Sequence, residues 1–263
     1  MVLNLEYFHF SETFPGSPDP GAVPDVPGYS LREYGNRVGV WRLMEILDRH
    51  QIRATAAVNS ELCLHAPAII EAGQARSWEW MGHGVSNSVR IPGRTASEQG
   101  AMIESTLTGI SAATGVRPTG WLGPGLAETQ ETPDLLRQAG LTYVADWVND
   151  DQPFPMTTAY GDLYSIPYTF ELNDKLIFGS RGAPASELHD MIVDQFDVLH
   201  REGADSGRVM AIALHPYLTG QPFRSAHLDR ALTHLRQRDD VWWATGSEII
   251  EAYRRSTEMQ EHE

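Results

Sequence analysis

Strand-like and helix-like segments alternate about seven times along this chain, and that alternation limits its fold more than any other feature. Met1–Glu6 is apolar and extended in character. Val40, Leu43, Met44 and Leu47 then fall at i, i+3, i+4 and i+7, the spacing of one helix face. Ala54–Val58 is a short apolar run, and Pro67 and Gly73 bracket a small helix as first-turn and C-terminal punctuation. Trp78 and Trp80 alternate with Glu79 as a third strand. Ser97 with Glu98 opens a longer helix that carries Ile103, Leu107 and Ile110 on one face and ends at Gly115. Thr119–Leu122 is the next strand. Thr132 to Gly140 is a helix with an N-cap, a first-turn proline and a terminal glycine, and Thr142–Trp147 follows as a strand. Extended pieces near Leu163–Pro167 and Lys175–Phe178 precede a helix from about Ser186 to Glu202. Val209–Leu214 is a buried strand, Ser225–Arg238 a helix, Val241–Trp243 a last strand and Ser247–Arg255 a capped final helix.

Such alternation implies parallel strands joined by crossover helices, so the expected fold class is α/β, either a barrel or a doubly wound sheet. No Gly-rich phosphate loop follows the first strand, and Gly35-Asn36-Arg37-Val38-Gly39 is too irregular to supply one, which counts against dinucleotide binding. Single α/β barrels commonly run to about 250 residues. The 263 residues, without a linker, a low-complexity segment or a solenoid repeat, are therefore expected to form a single domain spanning 1–263. Only five residues come before Glu6, less than the chain that usually closes a barrel floor, so strand one is expected to be N-terminally shortened.

Charge narrows the partners. The net charge of −15 repels a phosphate backbone and an anionic membrane surface, so neither nucleic acid nor membrane is expected, and a small-molecule substrate is. Apolar runs such as Val209–Leu214 fall far short of the roughly 20 residues of a membrane span, and no basic stretch followed by an apolar core marks secretion. Cys63 is the one cysteine, which excludes an internal disulfide and suits a cytoplasmic location; its ordinary role is that of a buried apolar thiol.

Glu6, Asn59, His83, Trp121, Asp146 and His215 all lie at or just beyond the C-terminal end of an expected strand. In a parallel barrel those ends converge on one rim, where active sites sit. Each residue alone is more often a loop cap than a catalyst; the coincidence of six is what carries weight. His83 lies between Gly82 and Gly84, which would let the backbone pass close to a ligand, although an ordinary glycine turn reads the same way. Pro216 restricts the backbone of His215 and so fixes where its imidazole leaves the strand. An imidazole that titrates near neutral pH is the natural proton donor to a departing amine.

Asn4-Leu5-Glu6, the run from Glu79 through Gly82-His83-Gly84, Arg117-Pro118-Thr119-Gly120-Trp121 and Leu214-His215-Pro216 follow the order and spacing of the motifs of the polysaccharide-deacetylase superfamily. The chain resembles most the branch that holds cofactor-independent allantoinases, cyclic imide hydrolases and a peptidoglycan-deacetylase-like protein. The likeness extends to Arg32-Glu33-Tyr34-Gly35 and Asp194-Gln195-Phe196-Asp197. It implies a distorted (β/α)7-type, NodB-like barrel and, since relatives are often tetramers, a homo-oligomer (dimer or tetramer). Sugar deacetylases of the superfamily begin with Thr-Phe-Asp-Asp-Gly, whose first Asp is the base and whose second binds metal, and continue with His-[Ser/Thr]-x-x-His. By position, Asn4 replaces the base, Glu6 the carboxylate ligand and Asn87 the second histidine, while His83 is kept. The allantoinase branch has a similar Asn-x-Glu start.

The expected activity is therefore hydrolysis of a non-peptide C–N bond in a small cyclic amide: an imide, a hydantoin or a ureide such as allantoin. Glu6 would activate water, which requires a raised carboxylate pKa, His215 would protonate the departing nitrogen, and His83 would polarise the carbonyl or hold the water. Asn4 and Asn87 would orient substrate amides, each offering a donor and an acceptor. Trp121 and Tyr34 would wall the pocket, Asn149, Asp150 and Asp151 would line its mouth or form a solvated turn, and Asn59 and Glu79 complete the candidate substrate-binding set. No cofactor is expected to be required. The alternative is a divalent metal such as zinc, with Glu6, His83 and Asn87 as weak candidate ligands, because an amide oxygen is a poor zinc donor. Two other readings stay open: a metal-dependent deacetylase of an N-acetylated sugar or peptidoglycan, and a non-catalytic ligand-binding barrel.

Overall fold

In the computed structural model, which describes residues 1–14 and 22–260, eight strands form one sheet. They are β1 (Val2–Leu5), β2 (Thr55–Val58), β3 (Glu79–Gly82), β4 (Gly120–Trp121), β5 (Tyr143–Val144), β6 (Phe154–Thr158), β7 (Gly161–Ser165) and β8 (Ala213–Leu214). Their order across the sheet is β6-β7-β5-β4-β3-β2-β1-β8, a curled half-barrel in which β6 alone runs antiparallel to its neighbour. The helices are α1 (Val26–Tyr34), α2 (Val40–Arg49), α3 (Ser60–His65), α4 (Pro67–Ala75), α5 (Ala96–Thr114), α6 (Thr132–Gln138), α7 (Ala185–Glu202), α8 (Pro222–Leu235) and α9 (Gly246–Gln260). π-helical turns occupy Gly35–Gly39 and Lys175–Ser180. Among the described residues no helix is long and apolar enough to cross a membrane.

Parallel strands covered by helices are buried on both faces, which is why β2 reads Thr-Ala-Ala-Val with every residue buried. On the outer face Leu3, Leu5 and Val58 pack with Leu43 and Leu47 of α2, Ile192 of α7 and Leu228 and Leu232 of α8. Strand alternation turns Asn4 and Glu6 the other way, toward the concave side where Ala57, Met81, Leu122 and Tyr168 cluster. Register then gathers the strand ends. Leu5 pairs with Val58, and Val58 with Gly82, so Glu6, Asn59 and His83 emerge side by side; Leu3 pairs with Leu214, which brings His215 in from the other flank.

Several local expectations need correction. Thr95, not Ser97, caps α5, through a reciprocal box with Glu98, whereas Gly115 closes that helix in the left-handed conformation as expected. The run Lys175–Phe178 is a π-helical turn, not an extended piece. Only Ala213–Leu214 of the expected strand Val209–Leu214 pairs, because β1 is its one full neighbour there. Val241–Trp243 joins no ladder; Trp243 packs against the core with Arg236 over its ring. The extended piece expected near Leu163–Pro167 is β7, whereas its hairpin partner β6 had no counterpart in the sequence reading, because Pro155 weakens the strand signal and suits the edge position it occupies.

Candidate active site

Glu6 is the centre on which the buried polar groups converge. Its Oε1 lies 3.6 Å from Nε2 of His83 and 3.6 Å from Nε2 of His215, and Asn87 donates its amide N–H to the same oxygen. Oε2 of Glu6 and Nε2 of His83 are buried without a protein hydrogen-bond partner. Burial alone would raise the Glu6 carboxyl, but the charge and hydrogen-bonding of His215, with the charge of Lys175, outweigh it and hold Glu6 well below the usual carboxylate range. The raised pKa expected for Glu6 is thus reversed, because a cation stands beside the carboxylate.

His215 owes its charge to Glu6 and to a second carboxylate, Asp174, that sequence reasoning missed. Asp174 Oδ1 lies 2.7 Å from Nδ1 of His215, while Oδ2 accepts the backbone N–H of His215 at 2.8 Å and the hydroxyl of Thr219 at 2.6 Å. Burial pulls the imidazole down, yet Glu6 and Asp174 together push it up to about 9 from its ordinary 6.5. His215 is therefore an imidazolium at neutral pH, clamped between two carboxylates. His83 is set differently: Nδ1 faces the Leu122 carbonyl at 2.6 Å and must donate to it, which turns Nε2 toward Glu6.

The orientation of Asn87 follows from backbone groups whose roles are unambiguous. Asn59 Oδ1 accepts the Tyr7 N–H at 2.8 Å, and Asn59 Nδ2 donates to the His83 carbonyl. The same Nδ2 lies 3.2 Å from Asn87, so the Asn87 atom facing it is the acceptor Oδ1, and Asn87 presents its NH2 to Glu6. An amide so turned has no oxygen to offer a cation at that point. Glu6 and His83 remain, with the imidazolium of His215 opposite, and a catalytic zinc site usually has three protein ligands. The donor set does not fit the metal of the sugar deacetylases, and among the described residues no cluster of three His, Cys, Asp or Glu side chains is arranged to hold one.

These groups face a narrow cleft lined by Asn4, Glu6, His83, Tyr168, Lys175 and His215 and bounded by the Leu122–Leu126 segment. Asn4 Nδ2 lies 3.4 Å from both the Tyr168 hydroxyl and the Leu214 carbonyl, and Asn173 also reaches that hydroxyl, at 3.5 Å. Burial pushes the Tyr168 phenol up, so it stays protonated. Asp146 anchors the bounding segment by accepting the Gly123 N–H at 2.7 Å. Burial and the neighbouring Glu128 raise its carboxyl well above the usual range.

The remaining sequence candidates lie elsewhere. Trp121 is 1% exposed and packs with Ile103 and Leu107 in the core, so it does not wall the cleft. Tyr34 accepts a hydrogen bond from Arg42 at 3.0 Å and is not among the residues that line the cleft. Glu79 begins β3, at the opposite end of the sheet, where it accepts Thr55 and Tyr143 hydroxyls and the Ser247 N–H; it holds α9 across the barrel floor. Asn59 is fully buried behind the site. Asn149, Asp150 and Asp151 line a wider open cleft that meets the catalytic one at Tyr168. The glycines flanking His83 serve packing instead of ligand approach. A Cβ on Gly82 would strike the Trp121 ring at 2.8 Å, and Gly84, at φ +72°, faces Pro124.

Comparison with known proteins bears on the fold that carries this site. The family pattern described as Polysaccharide deacetylase matches residues 32–144, a stretch that holds Asn59, His83 and Asn87. A crystal structure of a probable polysaccharide deacetylase from Pseudomonas aeruginosa PAO1 is 28% identical, with a TM-score of 0.86 over 97% of this chain and 89% of that one. The PuuE allantoinase crystal structure is 26% identical, with a TM-score of 0.88 over the same shares. A putative polysaccharide deacetylase of Schizosaccharomyces pombe is 27% identical over 85% of this chain and 75% of its own length. The chain therefore shares its fold with these proteins along most of its length and resembles the polysaccharide deacetylases in sequence over residues 32–144.

Proposed function

We propose that the protein hydrolyses a non-peptide C–N bond of a small cyclic amide, such as an imide, hydantoin or ureide, without a metal ion. The observation that carries this reading is the fixed orientation of Asn87, whose NH2 rests on Glu6 where a metal-dependent deacetylase would present a ligand. The likeness to an allantoinase supports the same branch of the superfamily.

Water would sit against Glu6 Oε2 and His83 Nε2, the two buried acceptors without protein partners. Its oxygen adds to the carbonyl carbon as its proton passes to Glu6 or His83. The C–N bond then breaks, its electron pair leaves on nitrogen, and the Nε2 proton of His215 goes to that nitrogen. Return of the water-derived proton to His215 resets the site. Glu6 is a weak base because it is held so far ionised, but on the same account His215 is fully loaded as the acid. Departure of an amide nitrogen is the step that most needs a donor.

A second reading, deacetylation of an N-acetylated sugar, draws on the wide polar cleft at Asn149, Asp150 and Asp151, which could take more of a sugar chain. A screen of cyclic amides and acetylated amino sugars separates the two. Ring-opened products support the proposal, and free acetate in their place overturns it.

A further inference from the structure

The chain contains twenty lysine and arginine residues, and nineteen of them are arginine. The single lysine, Lys175, lines the catalytic cleft with Glu6, His83 and His215. It is partly buried at the first position of the π-helical turn Lys175–Ser180, directly after Asp174. Among the described residues its ammonium forms no ion pair and no hydrogen bond, although most of the arginines are engaged with carboxylates, carbonyls or aromatic rings. Single-turn π-helices are frequent at functional sites, because the widened turn re-aims a side chain. Here that turn begins with the Lys175 N–H bound to Asn173 Oδ1 at 3.0 Å, which fixes where the lysine starts.

The electrostatics of the cleft give this cation a purpose. Glu6 and Asp174 supply two negative charges and His215 one positive, and the chain as a whole carries −15. An anion entering such a cleft would be repelled unless a further cation met it. Lys175 is that cation: Glu6 feels its charge, but among the described residues no carboxylate is in ion-pair contact with its ammonium. A compact ammonium suits a narrow opening better than the broad guanidinium fork that the chain uses elsewhere. Being partly exposed, it is not placed to serve as the dry, preorganised donor that an oxyanion demands; it is placed to meet a group that projects from the ring toward solvent.

We propose that Lys175 is a specificity-determining residue that binds a carboxylate carried by the substrate, so that the preferred cyclic amide is an anionic one. This rests on the ring-opening reading above and deepens it.

The test compares hydantoin with hydantoin-5-acetic acid, which share a ring and differ by a carboxylate, on the wild type, Lys175→Met and Lys175→Arg. The wild type should favour the acid by at least about tenfold in kcat/KM. Lys175→Met should bring that ratio close to one, chiefly through KM for the acid, and Lys175→Arg should keep part of it. A ratio unchanged by Lys175→Met overturns the proposal. So does an equal fall of kcat on both substrates, which would assign the lysine to the reacting carbonyl. Calorimetric binding of both compounds to each protein gives a readout that does not need turnover. If neither ring opens but the acid binds more tightly than hydantoin only when Lys175 is present, the anion site stands and the ring-opening reading falls. If the two compounds bind alike to the wild type, the anion site falls.

Discussion

Asp174 grips His215 twice, its Oδ1 2.7 Å from the imidazole Nδ1 and its Oδ2 2.8 Å from the backbone N–H, so one carboxylate fixes both the charge and the direction of the proposed acid. Asp174→Asn keeps the shape and removes the charge. Turnover should fall by about 10²- to 10⁴-fold. The pH profile carries the sharper signature. With His215 at about 9, the wild type should hold its rate to about pH 9 and lose it above, and Asp174→Asn should move that alkaline limb toward neutrality. Stability follows the same sign. The folded pKa is raised, so the contribution of His215 is whole below its ordinary 6.5 and is lost as pH rises through about 9. Glu6 is depressed, so its contribution is present above about 4.5 and is lost as pH falls toward its folded value.

Glu6 and His215 face each other at 3.6 Å and act as one unit in the proposed step. Glu6→Gln and His215→Ala should each remove about 10³-fold or more of turnover, and the double variant should be little worse than either. Steady-state kinetics on the three proteins checks this. Strict additivity of the two losses would show that they act separately.

Asn87→His restores the histidine of the deacetylase pattern. It also releases Glu6 from the amide donor that Asn59 aims at it. Elemental analysis of the purified variant should find divalent metal well above the wild-type level, without any gain in ring opening. Equal metal content in both proteins would mean that the amide does not exclude the ion.

Glu79 lies at the floor, where its carboxylate accepts from Thr55, Tyr143 and the Ser247 N–H. Glu79→Ala strands the buried Tyr143 hydroxyl and loosens the start of α9. It should cost about 3 kcal/mol in denaturant unfolding, given about 1.5–3 kcal/mol for a hydrogen bond to a charged group, with losses in one network that do not add. A drop in kcat/KM at unchanged stability would instead return Glu79 to the substrate.

The sequence carried the strand ends and not the loops between them. Glu6, His83 and His215 were legible because each ends an apolar run, and parallel register does the rest. Asp174 was not, since Asn173-Asp174-Lys175 reads as a polar break, and only the isolated β-bridge from Asn173 to Ala213 brings it beneath His215. Lys175 did leave a signal, its uniqueness among the basic residues, which a motif search passes over. Trp121 and Glu79 misled for one shared reason. A strand residue shows its position along the chain but not which face or which end of the sheet it serves, and those depend on neighbours such as Gly82 and Ser247.

The most direct test of metal-free ring opening is mass spectrometry of cyclic imides, hydantoins and ureides incubated with exhaustively chelated protein. The account predicts a product heavier than its substrate by one water, formed at the rate of untreated protein and absent with Glu6→Gln. Loss of that product on chelation and its return with added divalent metal would contradict it.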